Sequence, residues 1–238
     1  MEVTTKMSSI LSGHPRTLVT GSRHRIGATV TDALVAAGAR TAPNEAAPFA
    51  DPAAAAAGAW DLDAVKALVD RVATSLGGLD LLVINTPPPS IVGDQTWEEV
   101  TDKEWDTPFA LGPRLTYLLV TAALPYLRRS GDGRVVVTTS TVAWTGSPER
   151  PNHGAASSSL LGLVRATARE IGPEDVRINV VAYDPDGDDD TIDLVETRCL
   201  RRPTAPGLIA DAVTLAASSL SRFITGQTIL ADGGAHFL

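Results

Sequence analysis

Five consecutive residues, Val135-Val136-Val137-Thr138-Thr139, are all branched at Cβ and show no alternation of polar with apolar. A strand of that kind has no water-facing side, so helices must cover it on both faces, the arrangement found in parallel sheets. The rest of the chain agrees. Thr17-Leu18-Val19-Thr20, Leu79 to Asn85 and Val176 to Ala182, the last counted as a sixth strand, are further short apolar runs. Apolar residues recur at helical spacing in three other stretches: Val30, Leu34 and Ala37; Val65, Leu68, Val69, Val72 and Leu76; and Leu160, Leu161, Val164, Ala168 and Ile171. Gly38, Gly77-Gly78 and Gly172-Pro173 stop these helices. The expected fold class is α/β, a doubly wound parallel sheet whose ligands sit at the carboxyl ends of the strands.

A chain of 238 residues with 44% hydrophobic content buries one sizeable core. We expect a single domain over residues 16–238 after a loose polar leader at 1–15. The net charge of −8, with arginines scattered along the chain, excludes a nucleic-acid footprint. Cys199 is the lone cysteine, so there is no disulfide framework and no cysteine pair for a metal, and it reads as incidental. With no signal peptide and no long apolar segment, the expected home is the cytoplasm, away from membranes.

Two stretches carry the chemistry. Ser140 ends the β-branched strand, and after a loop with Gly146 and Pro148 a helix starts near Asn152, bearing His153 and Ser157 on one face. A hydroxyl is thereby expected to face an imidazole and a second hydroxyl. Upstream, Thr20-Gly21-Ser22-Arg23-His24-Arg25-Ile26-Gly27 joins the first strand to its helix. A glycine turn that opens a helix is an anion site, because unpaired N–H groups and the helix dipole point into it.

The Ser140 to Ser157 layout resembles the short-chain dehydrogenase/reductase family, in which a strand-end Ser precedes a Tyr-x-x-x-Lys helix by the same thirteen residues that separate Ser140 from His153. The loop at Thr20 resembles the family's Thr-Gly-x-x-x-Gly-x-Gly nucleotide loop, and the stretch from Phe223 to Gly234 resembles its last strand and Gly-Gly ending. The resemblance spans about Thr17 to Leu238 and implies a Rossmann-like fold. In the family the Tyr moves the proton, the Lys lowers its pKa and holds the nicotinamide ribose, and the Ser orients the carbonyl. Here His153 stands in the tyrosine slot and Ser157 in the lysine slot. Gly21 and Gly27 match the loop, while Arg25 replaces its middle glycine and is expected to crowd a pyrophosphate. Its guanidinium either fills the phosphate site, or binds an anion there, or turns out to solvent.

Other departures follow the chain. Arg40 to Glu45 occupies the second strand's place without an apolar run, contains Pro43, and offers no acidic residue to grip a ribose. The Ala-rich stretch from Phe49 to Trp60 reads as low-complexity loop. Asp61 falls where the family often contacts adenine, and serves equally well as a helix N-cap. Asn85 is what remains of an Asn-Asn-Ala-Gly run, followed here by Pro87, Pro88 and Pro89. Gly112 falls near the family's structural Asn, and Pro113 is expected to break the helix there. The five carboxylates between Asp184 and Asp190 suggest a divalent cation or a solvated lid. The lid is the better match, because a bidentate Glu and the spacing of a calcium loop are missing. No metal site is expected.

Three functions follow. The first is a degenerate subunit, in a homo-oligomer or beside an active reductase, with no NADP or only weakly bound NADP. The second is a non-redox enzyme, a lyase, cyclase or dehalogenase acting on a small molecule with Ser140 and His153 in the emptied cleft. It resembles halohydrin dehalogenases, whose anion pocket replaces the nicotinamide. The third is an NAD(P)-dependent ketoreductase in which His153 donates the proton. Against any catalytic role, a His at a helix start is often only a satisfied surface residue.

Overall fold

Val135 and Val137 pack into one apolar layer and Val136 into another, so the β-branched run is covered on both faces. That period of two is what a strand demands of a run without polar positions. The computed structural model describes residues 10, 11, 13–42, 60–85, 96–146, 148, 150–184 and 192–237. Among them, six strands form one sheet: β1 Arg16–Val19, β2 Arg40–Thr41, β3 Leu81–Ile84, β4 Gly133–Ser140, β5 Val176–Tyr183 and β6 Thr228–Leu230. All pairings are parallel, in the order β2-β1-β3-β4-β5-β6. The order reverses between β1 and β3, which opens the crevice of a doubly wound sheet at their carboxyl ends.

Helices α1 (Arg25–Ala36) and α8 (Pro206–Ala217) cover the Val136 face. The other face carries α2 (Leu62–Leu76), α4 (Leu115–Ser130) and α6 (Pro151–Ile171). Three shorter α-helices, α3 (Asp102–Phe109), α5 (Val142–Thr145) and α7 (Ile192–Thr197), complete the set among the described residues. Each Leu or Val fully buried in these layers contributes about 1.5–3 kcal/mol. Helix α2 shows the local logic: Asp61 caps its start, accepting from Ala64 N at 2.8 Å, and Gly77 ends it in the left-handed conformation at φ 76°.

The structure corrects the sequence reading in several places. Pro113 does not break the helix. A π-helical turn over Ala110–Arg114 joins α3 to α4 in one rod, and Leu115 N bonds to Ala110 O. Proline lacks an N–H and collides with the carbonyl one turn back, and widening the turn removes the conflict. The place of the second strand is filled, though only by Arg40 and Thr41, in register with Arg16 and Thr17. The run at Val176 is the fifth strand among the described residues. The last strand shrinks to Thr228–Leu230, leaving the Phe223 ring fully exposed. Within the leader, Leu11 is 1% exposed and packs against the α1 and α8 layer. The alanine-rich stretch up to Ala59, the three prolines after Asn85 and the acidic run after Asp184 lie outside the described residues.

Candidate active site

At the crevice between β1 and β3 the β1–α1 turn is built from backbone. Gly21 sits at φ 65°, a conformation that side chains disfavour. A Cβ on Gly27 would lie 2.1 Å from Gly21 O, so the helix start presses directly on the turn. Asn85 ties the turn to the sheet. Its backbone N donates to Thr20 Oγ1 at 3.1 Å, its Oδ1 accepts from Thr138 Oγ1 at 3.1 Å, and its side chain lies against both glycines. Three strand ends are thereby pinned together by buried polar groups. Arg25 is the first residue of α1 and is exposed, and the turn keeps its path beside it. His24 was not singled out in the sequence, yet its Nε2 is shielded from solvent without a hydrogen-bond partner among the described residues. A buried polar atom left without a partner is costly, and a bound group could satisfy it.

The second corner lies where β4 meets α6. Ser140 is buried, and its Oγ accepts from Val142 N at 3.2 Å, leaving the hydroxyl proton free to donate. His153 is 9% exposed, which removes the surface-residue reading. Its Nε2 lies 3.5 Å from the buried Ser157 Oγ, the spacing of one helical turn. His153 thus has Ser157 within one helical turn, and Ser140 has the Val142 N–H on its Oγ.

Asn152, also missed in the sequence, sets the imidazole's anchor. Its Nδ2 donates to Glu104 O at 2.8 Å and its Oδ1 accepts from His153 N at 2.8 Å. Glu104 is itself fixed in a capping box with Thr101 at the start of α3. Helix α5 is tied to α6 through Ser158 Oγ, which donates to Ala143 O at 2.8 Å. A polar residue buried at a helix start was the available signal for Asn152, since a buried amide must find partners.

At the end of β5, Tyr183 is the register partner of Ser140, and Asp184 forms a buried ion pair with Arg198 at 3.4 Å. Asp61 spends one carboxylate oxygen on its helix cap. Cys199 is exposed. No group of three His, Cys, Asp or Glu side chains that could hold a metal occurs among the described residues. Nor is any of their helices long and apolar enough to cross a membrane.

A family model described as enoyl-(acyl carrier protein) reductase matches residues 22–236. The chain belongs to the short-chain dehydrogenase/reductase family. Among similar family members, a 3-oxoacyl-[acyl-carrier-protein] reductase of Staphylococcus aureus is 28% identical over 241 residues, covering 92% of this chain and 97% of its own. A probable galactose dehydrogenase of Rhizobium meliloti is 26% identical over 242 residues, covering 91% and 93%. Of solved structures, a short chain dehydrogenase from Burkholderia cenocepacia in complex with NADP superposes with a TM-score of 0.77 at 27% identity, covering 93% of this chain and 98% of that one. TT0495 protein from Thermus thermophilus gives 0.75 at 29%, with the same coverage.

The residues present fit the pyrophosphate end of a dinucleotide. Gly21 and Gly27 leave the backbone bare at the start of α1, and His24 Nε2 is a buried group awaiting a partner. Fit at the ribose end is reduced, because the chain's only lysines are Lys6, Lys66 and Lys103, none of them on α6.

Proposed function

We propose that this chain is an NAD(P)-dependent carbonyl reductase or alcohol dehydrogenase of unusual active-site composition, with His153 as its proton donor. The observation that supports it most is the intact glycine turn at β1–α1, braced by Asn85. The backbone N–H groups at the start of α1 would hold the pyrophosphate, with His24 beside them. A nicotinamide held there would supply or take the hydride. Ser140 gives its unused hydroxyl proton as a hydrogen bond to the substrate oxygen. His153, protonated, delivers the proton as an alcohol forms, an imidazole's ordinary range near neutrality suiting the task. Ser157 relays a proton to or from Nε2, and Asn152 fixes the start of the helix that carries the ring. A 3-oxoacyl thioester or a small 3-oxo ester is the first substrate class to try, given what the Staphylococcus relative is named for. The test is consumption of NADPH with such ketones by wild type and His153→Gln. Ketone-dependent oxidation that the variant loses supports the reading; nucleotide-independent turnover replaces it with the non-redox one.

A second reading, a subunit working beside an active reductase, is favoured by one surface. Leu215 on α8, and Leu220, Phe223 and Ile224 on the segment from α8 to the edge strand β6, are exposed apolar residues. Such a strip beside an unpaired edge suits a subunit contact with a second copy or a related chain. Light scattering of the purified chain, alone and co-expressed with a neighbouring reductase, decides between them.

A further inference from the structure

We propose that the amino ends of the strands carry an anion site for a phosphate group, as inorganic phosphate or on a small phosphate monoester, with Arg40 as its principal ligand. The site is separate from the nucleotide crevice and independent of the function proposed above. Five neighbouring strands begin at or next to a charged side chain: Arg40 on β2, Arg16 on β1, Asp80 just before β3, Arg134 on β4 and Arg177 on β5. A cavity of about 440 Å³, the size of a small-metabolite site, is lined by Arg16, Arg40 and Arg134 with Asp80, Asp132 and Ser130. Arg134 and Ser140 stand six residues apart on β4, about 20 Å, so this cavity lies at the far end of the sheet from the Ser140 corner.

The carboxylates there are already neutralised. Both oxygens of Asp80 are taken by Arg16, through its side chain and its backbone N. Asp132 is shared by Arg134 and Arg177, one on each oxygen. Arg40 has no side-chain partner among the described residues, and it is the register partner of Arg16, so two like charges stand side by side on adjacent strands. Four guanidinium groups therefore meet two carboxylates, a local excess of positive charge in a chain of net charge −8. Burial lowers the Arg177 pKa, Asp132 acts to raise it, and Arg134 adds to the lowering, as expected where guanidinium groups crowd one another. A phosphate monoester, with a charge of about −1.5 to −2 at neutral pH, offsets such an excess.

The cavity wall also holds unused donors. Arg134 is 4% exposed, yet its Nε has no partner among the described residues, while its terminal nitrogens hold Asp132 and Ala217 O. A buried N–H left without an acceptor is costly, and an oxyanion is the group that satisfies it. Ser130 Oγ accepts from Asp132 N at 3.1 Å, which leaves its hydroxyl proton to donate. His14, also on the wall, is held at φ 50° with Nδ1 donating to Gly38 O at 2.9 Å, and its Nε2 is uncommitted. Arg40 presents a planar fork of N–H groups that matches two phosphate oxygens, and the Ser130 hydroxyl suits a third.

Calorimetry tests this, with inorganic phosphate and glycerol 3-phosphate titrated into wild type, Arg40→Gln and Ser130→Ala at constant ionic strength. We expect one saturable site in wild type, weakened about tenfold or more by Arg40→Gln and about threefold by Ser130→Ala. Tighter binding of the ester marks a phosphorylated metabolite as the ligand, and equal binding marks the free ion; both agree with the proposal. Arg40 is exposed and its side chain holds no other group among the described residues. Arg40→Gln should therefore unfold at the wild-type temperature without phosphate, and lose the rise that phosphate gives wild type. Absence of saturable binding by either probe overturns the proposal. So does equal binding by wild type and Arg40→Gln, which would put the phosphate at the β1–α1 turn instead.

Discussion

At the β1–α1 corner the groups that face a ligand are backbone N–H groups, presented by two glycines and braced by Asn85. At the β4–α6 corner the groups proposed to act are side chains: Ser140, His153 and Ser157, with Asn152 behind them. The first corner tolerates change in the residues around it, because only the path of the main chain matters; Arg25 enters the turn and the path survives. The second corner changes its chemistry with each replacement. On the proposed reading, the glycine turn holds the anion while His153 and Ser157 stand where the family has Tyr and Lys.

Gly27→Val should break that contrast most severely. Its new side chain would start 2.1 Å from Gly21 O, closer than any packing allows, and we expect NADPH binding to weaken by about 100-fold or more in calorimetry. Arg25→Gly is the counterpart, and should leave binding within about threefold. At the other corner, His153→Gln should lower kcat about 100- to 1000-fold, measured by NADPH oxidation, and remove the limb of the pH profile that reports the imidazolium. Asn152→Ala should act through His153, lowering kcat about tenfold with KM unchanged, since it frees the start of α6 from Glu104.

The smallest effect lies at the amino ends of β1 and β3 and concerns stability alone. Burial pushes the Asp80 carboxyl upward, and the bonds from the Arg16 side chain and backbone N outweigh it, so its pKa is lowered. A carboxylate with a lowered folded pKa contributes stability above its unfolded value of about 4, and loses it as pH falls through the folded value. Asp80→Asn should therefore unfold at lower urea, by about 1–2 kcal/mol at neutral pH given the partly solvated position, and show a flatter loss on acidification.

The sheet and its helices could be read from residues 135–139 and the helical repeats because burial imposes periodicity, and periodicity is local. What escaped was set by contacts distant in sequence. Pro113 looks like a breaker until a widened turn absorbs it. Thr41 gains its strand from Thr17, not from its own neighbours. At the site, Ser140, His153 and the two glycines carry spacing signals, whereas Asn152 acquires meaning only from Glu104, and Asn85 its bracing role only from Thr20 and Thr138, brought beside them. Distance along the chain separates those pairs, and only folding supplies the link.

The most direct test of the account is a titration of the purified chain with NADPH, following energy transfer from its tryptophans, with Gly27→Val in parallel. Saturable binding by wild type that the variant loses is the predicted result. No binding by wild type at millimolar nucleotide, or equal binding by both proteins, would contradict it.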